Sequence, residues 1–404
     1  MPVYLDHAAT TPMLPEAIAA YAEAMSIVGN PSSIHSQGQD AKRRLEEARE
    51  RVAASLGCDP IEVVFTSGGT ESVNLAIKGL FWSRSGSSLS RSHEEVPAGE
   101  VSTSSTRSKR RIVVPYGEHH ATIDTVEWLE KYEGAIVEWV PIDTMGRIDL
   151  VALAGLVDAH DDIALITLLW ANNEVGTIQP VADVVRIAGD IPVHVDAVAA
   201  YKHVPIDFRS SGLAAVSVSA HKVGGPIGIG ALVLARSATV VPLIHGGGQQ
   251  RDVRSGTQDA PAAIAFGVAA AHPTESLAPL RDRLIAGVRA AVPSAILRGD
   301  PVDRVDSNAH FTFPGCQGDS LLFLLDSAGV CVSTGSACSA GIPEASHVLL
   351  GMGLDDDVAA GAMRVTIGYT TTEADVDALL AALPDAVERA SRAGLSIRAV
   401  GARA

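Results

Sequence analysis

The sequence predicts an α/β fold, with a mostly parallel sheet in a large domain and a smaller α+β domain beside it. Three observations lead there. Short apolar runs alternate with longer helical patterns through the first two thirds of the chain, which is the signature of strands joined by crossover helices. Those runs are apolar on both faces, as strands covered on both sides are. The last third then changes to helices with only a few strands between them.

The elements follow in order. Val63–Thr66 reads as a strand and Ser67-Gly68-Gly69 as a turn, with a helix from Thr70 through Phe81. Arg111–Val114, Ile163–Leu169, Val193–Val195, Ala215–Val218 and Ala231–Leu234 continue the strand series. Arg43–Leu56 and Val181–Ala188 carry helical patterns. Ser83–Arg110 breaks the alternation: rich in Ser, Arg, Glu, Gly and Thr, it has little to bury and reads as an exposed inserted loop. From Ala260 an Ala-rich helical stretch is expected to run through the 280s. Ala309–Phe313 and Met363–Ile367 are strand-like, a helix is expected over Gly318–Ala328, and a terminal helix starts near Glu373. This division places the large domain at 14–258 and assembles the small one from 1–13 and 259–404.

Composition narrows the function classes. With 404 residues and 47% hydrophobic content the chain can bury a large core. A formal net charge of -16 offers no basic field for nucleic acid. No run of about 18 apolar residues predicts a membrane span. Met1–Asp6 lacks a signal-peptide pattern, so a cytoplasmic protein is expected. The four cysteines, Cys58, Cys316, Cys331 and Cys338, form no disulfide framework and no CxxC pair. Glu118-His119-His120 lacks a third ligand at metal-site spacing, so no metal is expected.

Several polar residues fall where strands leave the sheet, and ligands of open α/β sheets bind there. Lys222 follows the strand that ends near Ser219; a partly desolvated lysine there can form a Schiff base with an aldehyde. The same residues also describe a surface lysine in a turn. Asp196 follows another strand and could either pair with a protonated pyridine nitrogen or cap a helix. Ser67–Ser72 puts glycines and Thr70 at a helix start, which is an anion site or an ordinary capped start. Asn172 and Asn173 either turn the chain or donate to a ligand. Arg364 lies inside a strand, where an arginine grips a carboxylate or forms a surface salt bridge. Cys338 sits in a loop of small residues, Ser333–Gly341, that packs poorly; an exposed thiol there suits a travelling nucleophile.

Read together and in order, these motifs resemble one family. They run from Tyr4–Thr11 and Gly29–His35 through Phe65–Ser72, Glu118-His119, Ala171–Glu174, His194–Ala197 and His221-Lys222. They continue in Gly246–Gln249, Arg254–Thr257, Ser333–Cys338 and Ser346–Leu350. The pattern resembles the cysteine desulfurases of the NifS/IscS-like group I, within the fold-type I, class V aminotransferase-like pyridoxal-phosphate enzymes. The resemblance implies a reaction in which L-cysteine yields L-alanine and a persulfide on Cys338, which passes to an acceptor scaffold or carrier. It implies that Lys222 carries pyridoxal 5'-phosphate, that Asp196 partners the pyridine nitrogen and that His119 stacks on the ring and shuttles protons. Gly69, Thr70, Ser219 and His221 match the phosphate cradle, and Asn173 a contact to cofactor oxygen and substrate carboxylate. Arg364 matches the carboxylate clamp. Thr257 matches a phosphate contact lent by the other subunit, which implies a homodimer.

The chain departs from the family pattern at four places. Ala199 stands where a glutamine is usual, Ala220 where glycine is usual, His7 where asparagine is frequent and Tyr369 where arginine is common. Two other enzymes are compatible with the scaffold: another pyridoxal-phosphate carbon–sulfur or carbon–selenium lyase, and a class V aminotransferase. Neither needs Cys338. A non-catalytic sulfur-relay scaffold draws support from Ala199 alone and is opposed by Lys222, Asp196 and Cys338.

Overall fold

A computed structural model describes residues 2–86, 108–335 and 345–401, with side chains through 392. In chain order the first part holds β1 (Val3–Tyr4), α1 (Pro15–Ala24), α2 (Ser36–Leu56), β2 (Val63–Thr66), α3 (Gly69–Ser85), β3 (Arg111–Pro115), α4 (His120–Glu133) and β4 (Ile136–Val140). Next come α5 (Leu150–Ala159), β5 (Ile163–Leu169), α6 (Val181–Ala188), β6 (Val193–Asp196), α7 (Phe208–Ser211), β7 (Ala215–Ser219), β8 (Gly230–Leu234) and α8 (Ala260–Ala271). The remainder is α9 (Ala278–Ala291), β9 (Ile296–Arg298), β10 (Asn308–Thr312), α10 (Gly318–Ser327), β11 (Val330–Cys331), α11 (His347–Gly351), α12 (Asp356–Ala359), β12 (Ala362–Thr366) and α13 (Glu373–Gly401).

Among the described residues, seven strands make the main sheet in the order β2-β8-β7-β6-β5-β3-β4. Its centre is parallel, and β8 runs antiparallel to both β2 and β7. Every residue of β5 is buried because helices cover both faces. Ile112, Val114 and Leu165 face α3 and α4 through Ile77, Leu80 and Leu129. Val113, Ile166 and Leu168 point the other way, into a core shared with α2, α6 and α8. The alternation along single strands therefore assigns each residue to one of two helical layers.

A second core gathers Leu5, Val288, Phe311, Phe313, Leu321, Leu379 and Leu383. It backs the antiparallel sheet β12-β10-β9 and the short parallel pair β1–β11. The first strand of the chain thus pairs with β11 and packs on this second core.

The region after Ala260 differs from the expectation. The Ala-rich stretch is two helices, interrupted at His272–Leu277. Pro273 forces His272 out of the helical region, to ψ 130, and Pro279 sits in the first turn of α9. The two helices also part company. α8 lies on α1 and α2 and places Ala262, Ala263, Phe266 and Ala270 in the larger core, whereas α9 joins the smaller one. A boundary after 258 therefore splits α8 from the body it packs on. The reason is composition: an all-round apolar helix of small residues has no polar face to turn to water. In the Ser83–Arg110 segment, α3 continues to Ser85, and residues 87–107 lie outside the described residues. The ends of this segment are joined by the Lys109 N–H donating to the Arg84 carbonyl at 3.1 Å.

Phe266 is fully buried and meets Phe65 and Tyr201 edge-on, each with ring centroids 6.4 Å apart. Phe266→Ala should cost about 3–5 kcal/mol of unfolding free energy, measured by denaturant titration. A loss under about 1 kcal/mol would show that α8 does not belong to the larger core.

Candidate active site

The main sheet has a topological switch between β3 and β5: β4 extends it one way, while β6 and β7 extend it the other. A crevice opens at the carboxyl ends of strands at such a point. There the chain supplies Glu118 and His119 after β3, Trp170–Glu174 after β5, Asp196 at the end of β6, and Ser219–Lys222 after β7. The amino end of α3 adds Gly69 and Thr70. Of these, His119, Asn172–Glu174, Asp196, Ser219, His221, Lys222, Gly69 and Thr70 line one cavity of about 890 Å³, and Arg364 and Gly335 close it from the smaller unit. The predicted residues Gly69, Thr70, His119, Asn173, Asp196, Ser219, His221, Lys222 and Arg364 all line it. Thr257 does not; it lines a separate groove with Phe65, Gln250 and Arg254. Cys338 lies outside the described residues. Gly335, the last described residue before it, lines the cavity, as does His347, two residues after the described chain resumes at Ala345.

Burial sets the electrostatics. Lys222 follows β7 in a single 3-10 turn, and its Nζ donates to the carbonyls of Ala8 and, at 3.1 Å, Ala9. Desolvation, helped by the nearby Arg364 guanidinium, lowers its pKa from 10.5 to about 8. Asp196 is buried and accepts from the Val198 N–H at 2.9 Å; burial raises its carboxyl to about 6, against the pull of Val198 and Lys222. Glu118 lies deeper. Its Oε1 accepts from the Leu169 N–H at 2.9 Å, while Oε2 is buried with no hydrogen bond. Burial, with Asp196 nearby, pushes the Glu118 carboxyl well above the usual range.

His119 caps α4, its Nδ1 accepting from the Ala121 N–H at 3.0 Å. Burial and then Lys222 lower its pKa to about 4. The ring is therefore neutral at neutral pH, and with Nδ1 engaged as acceptor the proton sits on Nε2. His221 is lowered to about 4 for the same two reasons and meets Thr10 Oγ1 through Nδ1 at 3.2 Å. His194, by contrast, is a core residue. It bridges Thr167 Oγ1 and Ser217 Oγ at 2.8 Å each and so ties β5, β6 and β7 together below the site.

The smaller unit supplies the facing wall. Arg364 on β12 donates through Nη2 to Asp6 Oδ1 at 3.0 Å and through Nη1 to the Asn173 carbonyl at 2.9 Å. Its Nε and the Asn173 Oδ1 are buried without hydrogen-bond partners. Ala199 lines the same cavity, as do His7 and Tyr369, so three departures from the family pattern face one space. Glu118, Glu174, Ser346 and His310 were not foreseen as site residues. Glu118, Glu174 and Ser346 stand in quoted motifs, but only burial singles them out, with an unpartnered Oε2 on Glu118.

The chain matches the aminotransferase class-V family over residues 3–98 and 90–379. An IscS-like cysteine desulfurase of Mycobacterium tuberculosis, strain ATCC 25618 / H37Rv, is 49% identical, the match covering 97% of this chain and 98% of that protein. A solved NifS-like protein superposes with a TM-score of 0.84 at 32% identity, covering 96% of this chain and 100% of the other. A structure described as SspA in complex with cysteine aligns with a TM-score of 0.75 at 32% identity, covering 90% and 98%. Fold, site position and these likenesses agree: the chain belongs to the aminotransferase class-V family, among its cysteine desulfurases.

Proposed function

We propose that this enzyme removes sulfur from L-cysteine, leaving L-alanine and a persulfide on Cys338 that passes to an acceptor protein. The observation that carries the reading is the convergence of Lys222, Asp196, His119 and Arg364 on one cavity, which Gly335 and His347, on either side of the Cys338 segment, also line. Members of this family depend on pyridoxal 5'-phosphate, and the donor set suits that group. The Asp196 carboxylate is buried at the cavity without an ion pair among the described residues, which a protonated pyridine nitrogen would complement. A Cβ at Gly69 would lie 2.7 Å from Val198 Cγ2, so the helix start keeps its close approach to the β6 turn only as glycine. Lys222, Asp196, His119, Asn173 and the cradle of Gly69, Thr70, Ser219 and His221 would hold the group. When bound, it supplies an electron sink for bond breaking at the substrate carbons.

The protein's own residues supply the remainder. Lys222, with its lowered pKa, offers a neutral amine near neutral pH and can take or return a proton at Nζ. His119 lines the cavity, and with Nδ1 accepting it carries its proton on Nε2. Arg364 lines the cavity and would meet the substrate carboxylate, with Asp6 holding the guanidinium in place. The Cys338 thiolate forms an S–S bond as the substrate C–S bond breaks. The electron pair stays on carbon, which takes up a proton and leaves as alanine; no outside oxidant or reductant enters. Thr257 lies outside its own chain's cavity, which supports its service to a second copy in a homodimer. The described cysteines, Cys58, Cys316 and Cys331, are unpaired, which supports a reducing cytoplasmic setting. The acceptor would be an iron–sulfur scaffold, a sulfur carrier or a tRNA-sulfuration protein.

Purified protein should show the visible absorption of bound cofactor, and Lys222→Ala should abolish it; an unchanged spectrum would remove Lys222 from the role. In cofactor-free protein, acylation of the Lys222 amine should be half-maximal near pH 8 rather than near 10.5, because the neutral amine is the reactive form. Peptide mass spectrometry across a pH series reads this, and a midpoint near 10.5 would mean a solvated amine. Cys338→Ser should lower alanine formation from L-cysteine by about a thousandfold. Normal turnover by that variant would rule out the persulfide route.

A further inference from the structure

Glu174 follows the Asn172-Asn173 turn and is buried, as is His310 on β10. Both approach Gly335, the last described residue before the Cys338 segment. A Cβ built on Gly335 would lie 3.3 Å from His310 Nε2 and 3.5 Å from Glu174 Oε2. Gly335 also has φ +92, so any side chain there would be strained as well as wedged between the two groups. Just upstream, Ser333 is pinned to β12: its N–H donates to the Arg364 carbonyl at 3.1 Å, and the Arg364 N–H returns to the Ser333 carbonyl at 2.6 Å. Arg364 is in turn the register partner of His310.

The downstream end comes to the same carboxylate. Ser346 Oγ donates to Glu174 Oε2 at 2.5 Å while accepting from the Leu349 N–H at 3.2 Å as the cap of α11. Asn308 Nδ2 donates to the Glu174 carbonyl at 2.9 Å and holds this residue against β10. Burial raises the Glu174 carboxyl above its ordinary value and lowers His310 to about 3, so the socket is built from groups that shed charge. A carboxylate so costly to bury is expected to serve more than packing.

We infer, resting on the desulfurase reading above, that Glu174 is a positioning residue of the reaction: with His310 it forms a buried socket that seats both Gly335 and Ser346. The socket sets the two points between which the thiol-bearing segment is strung. Glu174 itself needs no contact with substrate or cofactor. Its influence on rate would come through placement, because a nucleophile displaced by about 1 Å can lose about 100-fold in rate.

The test compares holoenzyme with Glu174→Leu, Ser346→Ala, the double variant and Glu174→Gln, which keeps an acceptor for Ser346. L-cysteine affinity is read by titrating the cofactor spectrum, and persulfide on Cys338 by single-turnover mass spectrometry. A third readout is the alkylation rate of Cys338 by iodoacetamide without cysteine, resolved by peptide. Glu174→Leu and Ser346→Ala should bind L-cysteine within about threefold of wild type but form persulfide about 10- to 100-fold more slowly. The double variant should be no slower than the worse single one, because both act through one contact. Glu174→Gln should recover to within about threefold, and the alkylation rate should move in the two impaired variants by at least about threefold. Unchanged persulfide and alkylation rates, additive losses, or a parallel loss of cysteine affinity and cofactor spectrum would overturn the socket. Failure of wild type to make alanine would instead overturn the desulfurase reading, and the alkylation comparison would still decide the socket.

Discussion

The cost of burying charge at the open end of the main sheet governs this molecule. Parallel strands covered on both faces end in a crevice where Asp196 and Glu118 are buried, Lys222 is half-buried and His119 borders the open cavity. Each is moved toward its neutral form, and desolvation is the largest cause in every case. The lysine becomes an amine available near neutral pH and the histidine a neutral donor. The aspartate is left with a strong preference for a cationic partner. An electrically balanced, water-filled site would provide none of these.

Holding such groups in place requires a rigid floor. His194 joins three central strands through two hydroxyls, and the Glu118 carboxyl accepts from the last N–H of β5. These bonds lie below the cavity and fix the strand ends that carry Asn173, Asp196 and Lys222. The facing wall comes from the other core. Arg364, held by Asp6 of its own unit, reaches across the crevice to the Asn173 carbonyl, beside the contacts that Asn308 and Ser346 make to Glu174. A planar fork that satisfies two acceptors from two different nitrogens and keeps further donors for a ligand is a role lysine could not fill.

The family departures fall on this frame in an ordered way. Tyr369 reaches back to the Pro12 carbonyl at 3.1 Å. His7 is buried, meets Thr371 through Nε2 at 3.3 Å and packs so close to Gly368 that no side chain would fit there. Ala199 leaves cavity space where a longer amide would reach. All three line the cavity, while the fourth, Ala220, lies in the turn between β7 and Lys222.

Much of this was legible in the sequence, for identifiable reasons. β5 and α6 were read to the residue because an unbroken apolar run and a clean helical period admit few alternatives. Lys222 and Asp196 were placed at strand ends by the same runs, and the order of the motifs carried the family. Tertiary structure decided what local pattern cannot hold. The break of the Ala-rich stretch at Pro273 has a local cue, but which core each half joins depends on packing against distant helices. Glu174, His310 and Ser346 are far apart in sequence, and although two of them stand in quoted motifs, nothing local joins them; only the folding of β10 against the turn after β5 brings them to one point. The same holds for the protonation of Lys222: its identity and position are written in the chain, while its readiness to react comes from the water that the fold excludes.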